Sequence, residues 1–175
     1  MQEGVVIKST GSWYEVRTEN GEVVLCRLRG KIRLDGIRTT NPVAVGDKVF
    51  FEKENNKDTC VINKILPRYN VIVRKSVNLS KASHIIASNI DQAILVATIA
   101  QPRTSTGFID RFLVTSEAYH IPTIIVFNKC DLYDKEQMSQ AEELISVFKS
   151  IGYHSFMLSA KTGYQCEELK SIMQN

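Results

Sequence analysis

Asn128, Lys129, Cys130 and Asp131 form the spacing N-K-x-D, and Ser159, Ala160 and Lys161 follow as S-A-K, 31 residues after Asn128. These residue types suit the recognition of one purine base, guanine. A carboxylate at Asp131 can accept hydrogen bonds from the ring N1–H and the exocyclic amine together. Adenine has no donor at N1, so it would leave that carboxylate desolvated and unpaired, and a site built this way can reject the wrong base by about 10⁴-fold. The amide of Asn128 can reach the base edge and also tie neighbouring loops together. The aliphatic stems of Lys129 and Lys161 can cover the two ring faces while their charges stay in water. The backbone N–H of Ala160 can donate to the guanine carbonyl. Cys130 fills the variable position of the motif and is counted with the site.

Both motifs must stand on one rim if they are to read one base, and the surrounding pattern predicts this. Pro122–Phe127 is an apolar run that leads straight into Asn128, and Tyr153–Leu158 leads into Ser159. The run Asp91–Ile99 is near-continuously apolar, as expected of a strand buried on both faces. Between the runs, Thr106–His120 places Ile109, Phe112, Leu113 and Ser116 on one helical face. Lys135–Ser150 does the same with Met138, Ala141, Leu144, Ile145 and Phe148, and Glu167–Met173 reads as a final helix. Alternating strands and helices predict right-handed βαβ units and a parallel sheet. Ligands of such sheets bind at the carboxyl ends of the strands. Ordinary turn chemistry could explain Asn128 and Asp131, and a helix cap could explain Ser159. Neither accounts for both motifs following successive buried strands.

A nucleotide site also needs a phosphate cradle, G-x-x-x-x-G-K-[ST], and a D-x-x-G that senses the terminal phosphate. None of the nine glycines opens such a cradle: Gly30-Lys31 is followed by Ile32, and Leu25 stands where the first glycine would be. No D-x-x-G precedes Asn128. Two explanations stay open. The domain binds no nucleotide, or its elements are permuted and the phosphate loop follows residue 175.

The first part of the chain is different in kind. Gly4–Lys8, Trp13–Arg17, Val23–Leu28, Lys48–Glu52 and Thr59–Leu66 read as short strands separated by turn signals such as Asn20-Gly21. Five strands, one long connection and no helical periodicity predict an all-β OB-fold barrel over 1–68. A polar linker over 69–88 and an α/β domain over 89–175 are expected to follow. Residues 1–82 carry 15 Lys and Arg against 9 Asp and Glu, whereas 83–175 carry 7 against 10. A basic unit joined to an acidic one suggests that the first faces a polyanion. Arg27, Arg29, Lys31, Arg33 and Arg38 crowd one strand end and the following loop. OB barrels bind nucleic acid with a basic groove and stacking aromatics. Trp13 and Tyr14 are adjacent on a strand and point oppositely, so one faces the groove at most. Either could be the stacking residue and the other core; plain core packing competes for Trp13, which is nonetheless counted with the RNA-binding residues.

Composition is 43% apolar and 23% charged, which predicts packed cores rather than disorder. Cys26, Cys60, Cys130 and Cys166 lack metal-ligand spacing and are expected to be buried free thiols, with no metal. No apolar run approaches the roughly 20 residues of a membrane span. No signal-peptide pattern opens the chain. A cytoplasmic protein without membrane contact is expected, as a monomer.

The stretches Gly11–Val16, Cys26–Lys31, Pro42–Asp47, Pro67-Arg68, Asn89–Gln92 and Ile109–Arg111 join the two motifs in a resemblance. The chain resembles the N-terminal part of the ribosome small-subunit-dependent GTPase A family, the RsgA or YjeQ family, over nearly all of its 175 residues. The resemblance implies an OB domain followed by the first part of a circularly permuted P-loop-type GTPase domain. It implies a GTP-hydrolysing factor that uses Mg²⁺ with GTP or GDP and acts late in maturation of the small ribosomal subunit, touching its RNA. A zinc-binding domain ends the family's chains. Asn128, Lys129 and Asp131 would read guanine, supported by Ser159, Ala160 and Lys161. The phosphate loop, switches and zinc domain lie outside this sequence, so these 175 residues alone are expected not to hydrolyse GTP, and no catalytic residue is assigned. The competing reading is an OB-type RNA-binding module whose α/β domain binds no nucleotide.

Overall fold

A computed structural model describes residues 1–28, 30, 42–54, 58–75 and 83–174, which group into two compact units, Met1–Ile90 and Asp91–Asn175. In the first unit, β1 (Gln2–Ser9), β2 (Trp13–Thr18), β3 (Val23–Leu28), β4 (Lys48–Lys53) and β5 (Cys60–Ile65) close into a barrel of order β1-β2-β3-β5-β4. β4 pairs back onto β1, and β3 runs parallel to β5 with Cys26 opposite Cys60. This is the OB arrangement. Alternation along each strand decides what fills it. On β2, Tyr14 and Val16 turn inward and are buried, while Trp13 and Arg17 are exposed. The interior is completed by Val6, Cys26, Val49, Phe51, Cys60 and Ile62. Burial pushes the Cys26 thiol up to about 12, helped by its neighbour Cys60. Cys130 and Cys166 are only half-buried, so the expectation of four buried thiols holds for Cys26 and Cys60 alone.

The stretch 69–88, expected to be a linker, carries two strands. β6 (Val71–Lys75) and β7 (Ser83–Ser88) pair antiparallel, Val71 opposite Ser88, and belong to the barrel's unit. The β-branched residues Val71, Ile72, Val73, Ile85 and Ile86 favour strands there, against the polar residues around them.

A buried carboxylate ties this ribbon to the barrel. Asp47 is fully buried. Its Oδ1 accepts from Arg68 Nε at 2.6 Å and Ser88 Oγ at 2.5 Å. Its Oδ2 accepts from Arg68 Nη2 at 2.6 Å and the Ala44 N–H at 2.8 Å. Gly46, next to it, has φ +90°, and an added Cβ would lie 1.9 Å from the Ser88 carbonyl oxygen. Only glycine allows that approach. Removing one partner of a buried ion pair strands the other charge. Arg68→Met is therefore expected to lower unfolding free energy by about 3–5 kcal/mol in urea denaturation. A loss under about 1 kcal/mol, the value of an exposed pair, would mean that water solvates Asp47.

The second unit alternates β8 (Ala93–Ala97), α1 (Thr106–Ala118), β9 (Thr123–Phe127), α2 (Lys135–Ser150), β10 (His154–Met157) and α3 (Cys166–Gln174). The sheet order is β10-β9-β8, every pairing is parallel, and β9 is buried at all of its residues. Ile109 and Leu113 of α1 and Ala141 and Phe148 of α2 pack with Leu95, Ile125 and Phe127. Leu169 and Ile172 of α3 join a second cluster around Ile124, Val126, Phe156 and Leu158. Ser105 caps α1, and Asp134 with Gln137 forms a capping box on α2, so both helix starts are satisfied locally.

Candidate guanine-reading site and nucleic-acid face

The parallel register sets the end of β9 beside the ends of both neighbours. The Asn128 N–H continues the ladder to the Ala97 carbonyl at 2.8 Å, and the Leu158 N–H does so to the Phe127 carbonyl at 2.9 Å. The chain then turns sharply. Lys129 adopts the left-handed region at φ 68°, and Cys130–Leu132 forms one 3-10 turn whose first N–H reaches the Leu158 carbonyl at 3.2 Å. The N-K-x-D turn is thus bonded directly to the strand that carries S-A-K.

The side chains complete that junction. Asn128 Oδ1 accepts from the Lys129 N–H at 2.7 Å and the Ala160 N–H at 3.1 Å. The loop-tying role read for Asn128 is therefore present. The Ala160 N–H, read as a donor to the base, donates here to Asn128. Ser159 is fully buried, and its Oγ donates to Asp131 Oδ1 at 2.6 Å while accepting from the Thr162 N–H at 3.2 Å. Asp131 itself is exposed, and among the described residues its Oδ2 has no hydrogen-bond partner. One carboxylate oxygen is thus anchored on an otherwise exposed residue. Lys161 is exposed. Lys129 is half-buried, and its Nζ donates to the Gln101 carbonyl at 2.5 Å. Burial, reinforced by the Asp131 charge, raises the Cys130 thiol above its ordinary range.

Sequence reading missed a further participant. The Tyr133 hydroxyl donates to the Asn128 carbonyl at 2.6 Å and accepts from the Ile99 N–H at 3.0 Å. No periodicity marks it, because its partner lies across the sheet at the end of β8.

On the barrel, Trp13 is directly opposite Arg27 in the β2–β3 register and is 42% exposed. Tyr14 is the core residue of the aromatic pair, and its hydroxyl donates to the Gly11 carbonyl at 3.0 Å. Arg27 is not free: its Nε donates to Glu54 Oε2 at 2.9 Å, and its Nη2 donates to Glu54 Oε1. Arg29, Lys31, Arg33 and Arg38 lie outside the described residues. Leu25, which the sequence did not assign to this face, is exposed on the same outward side as Arg27.

An OB barrel joined to a parallel sheet that presents N-K-x-D and S-A-K on adjacent strand ends defines the class of circularly permuted GTPase folds. The RsgA GTPase family matches residues 65–175, and the RsgA N-terminal domain matches residues 3–61. The chain belongs to the RsgA GTPase family. It is 51% identical over 173 residues to the small ribosomal subunit biogenesis GTPase RsgA of Christiangramia forsetii, covering 98% of this chain and 55% of that protein. Identity to the protein of the same name from Bacteroides fragilis is 52% over 172 residues, with 98% and 55% covered. The structure is similar to that of YjeQ from Thermotoga maritima, with a TM-score of 0.73 at 37% identity over 98% of this chain and 56% of that one. It is also similar to YloQ, a circularly permuted GTPase, with a TM-score of 0.67 at 32% identity over 99% and 56%. The chain spans about half the length of the curated relatives it matches.

A raised thiol pKa lowers the thiolate fraction at neutral pH. Cys130 is accordingly expected to react with iodoacetamide more slowly in the folded protein than in the urea-unfolded chain, with the rate recovering as pH rises. Faster labelling in the folded state would show a stabilised thiolate and a different local field.

Proposed function

We propose that the full-length protein carrying this chain binds and hydrolyses GTP in late maturation of the small ribosomal subunit. Asp131 carries the reading. It is a rim carboxylate with one oxygen anchored by the buried Ser159, and its other oxygen has no partner among the described residues. That arrangement suits the two donors on the guanine edge, with Asn128 and Ala160 bracing the adjoining loops and the stems of Lys129 and Lys161 beside the ring. Cys130 would stay a thiol in the turn. The relatives are named small ribosomal subunit biogenesis GTPases, which supports the reaction and the assembly partner. The phosphates and Mg²⁺ are assigned to residues outside this sequence, which has no G-x-x-x-x-G-K-[ST], so residues 1–175 by themselves are read as unable to hydrolyse GTP. The family's zinc is likewise assigned to a separate domain. Among the described residues no helix is long and apolar enough to cross a membrane. We read the protein as a cytoplasmic monomer.

In the full-length protein, Asp131→Asn is expected to weaken GTP and favour xanthosine triphosphate, whose C2 carbonyl can accept from the new amide. A loss of about 10²-fold or more in GTP affinity is anticipated from an unpaired polar edge. Unchanged nucleotide preference in a competition assay would remove Asp131 from the base.

The OB barrel is proposed to contact ribosomal RNA through Trp13, Arg27 and the basic residues Arg29, Lys31, Arg33 and Arg38. The exposure of Trp13 and its position opposite Arg27 support this face. Stacking on one base is worth about 1–3 kcal/mol, so Trp13→Ala is expected to weaken RNA binding by that amount. Arg27 must leave Glu54 to meet a phosphate, so Glu54→Gln is expected to tighten binding, most strongly at low salt. If filter binding gives wild-type affinity for both variants, RNA does not use this face.

A further inference from the structure

We propose that Tyr133 is a positioning residue for guanine recognition: its hydroxyl joins the Ile99 N–H to the Asn128 carbonyl and so holds the N-K-x-D turn in its reading geometry. This rests on the reading of Asn128–Asp131 given above.

Backbone groups just past the ends of parallel strands lose their ladder partners and must find others. Ile99 lies beyond the end of β8 and is 7% exposed, so its N–H has little access to water. The Asn128 carbonyl lies beyond the end of β9. A hydroxyl offers one donor and acceptor lone pairs, and Tyr133 uses both, donating to Asn128 at 2.6 Å and accepting from Ile99 at 3.0 Å. The 3-10 turn Cys130–Leu132 carries the ring back to this point, where it packs against the cluster around Leu95, Ile125 and Phe127. Burial pushes the phenol above its ordinary range, so it remains a donor at neutral pH.

Holding the Asn128 carbonyl orients the Asn128–Lys129 peptide. The N–H of that peptide is taken by Asn128 Oδ1, and its next residue, Lys129, is left-handed. Asn128 Oδ1 in turn holds the Ala160 N–H. The loop gripped by Tyr133 also reaches Lys129, since Gln101 O accepts from Lys129 Nζ at 2.5 Å. That loop closes on itself: the Thr98 N–H donates to Thr104 Oγ1 at 3.0 Å, and the Thr104 N–H donates to the Thr98 carbonyl at 2.8 Å. Two links therefore run from one braced loop to the turn that would meet the base, and Tyr133 supplies the buried one.

Tyr133→Phe keeps the ring and removes only the hydroxyl. In the full-length protein, GDP affinity is expected to fall about tenfold, and the KM for GTP to rise in step while kcat stays within about twofold. The Ile99 amide should exchange faster with deuterium than in the wild type, measured at a temperature where both proteins are folded. A purely structural tyrosine would lower the melting midpoint and leave the KM in place, and that result overturns the proposal. Asp131→Asn, run beside it, separates the two levels. If Asp131→Asn switches preference towards xanthosine nucleotides while Tyr133→Phe binds GDP normally, the positioning role fails and the guanine reading stands. If Asp131→Asn changes nothing, the guanine reading fails and the role of Tyr133 falls with it.

Discussion

The parallel pairing of β9 with a neighbour on each side is the constraint from which the candidate site follows. Parallel strands end on the same edge, so residues far apart in sequence emerge together: Ile99 after β8, Asn128 after β9, and Ser159 just beyond β10. Each strand end exposes backbone groups whose ladder has stopped. The site is built largely from the way those groups are satisfied. Asn128 Oδ1 takes two N–H groups, Ser159 Oγ takes one and gives its proton to Asp131, and Tyr133 closes the gap towards β8. Hydrogen bonds that complete the fold also aim the side chains that would meet a base.

The barrel unit solves a different problem. A carboxylate removed from water is costly unless every lone pair finds a donor. Asp47 finds a two-nitrogen guanidinium contact, a hydroxyl and a backbone N–H. Because these donors come from the 42–47 turn, from Arg68 after the last barrel strand and from Ser88 at the end of β7, one charge holds three separate stretches. The Gly46 backbone closes against Ser88 at the same place. This explains why β6 and β7 belong to the barrel's unit although the polar composition of 69–88 reads as a connector.

The outward face of β2 and β3 shows how a charge pattern can mislead when read residue by residue. Arg27 counts as one more cation in the basic cluster, yet its guanidinium is held by Glu54 across the barrel rim. The arginine side of this pair is exposed to water, where ion pairs add little stability. Glu54 therefore competes with any anion for that arginine, which stays on the outward face.

Periodicity alone specified the five barrel strands, the alternating strands and helices of the second unit, and both motifs at strand ends, because these depend on local alternation and on turn chemistry; which of Trp13 and Tyr14 faces inward it left open. The pairing of Asn128 with Ala160, the anchoring of Asp131 by Ser159 and the bridge made by Tyr133 were beyond it. Each joins groups brought together by sheet register, and Ile99 and Tyr133 stand 34 residues apart. The ribbon at 69–88 escaped for the same reason, since Asp47, Arg68 and Ser88 stabilise it from three places in the chain. The sequence by itself determined which residues could read a base, because donor and acceptor chemistry resides in each side chain. Tertiary structure alone decided how those groups are aimed, because aim depends on which backbone partners the strand ends leave unsatisfied.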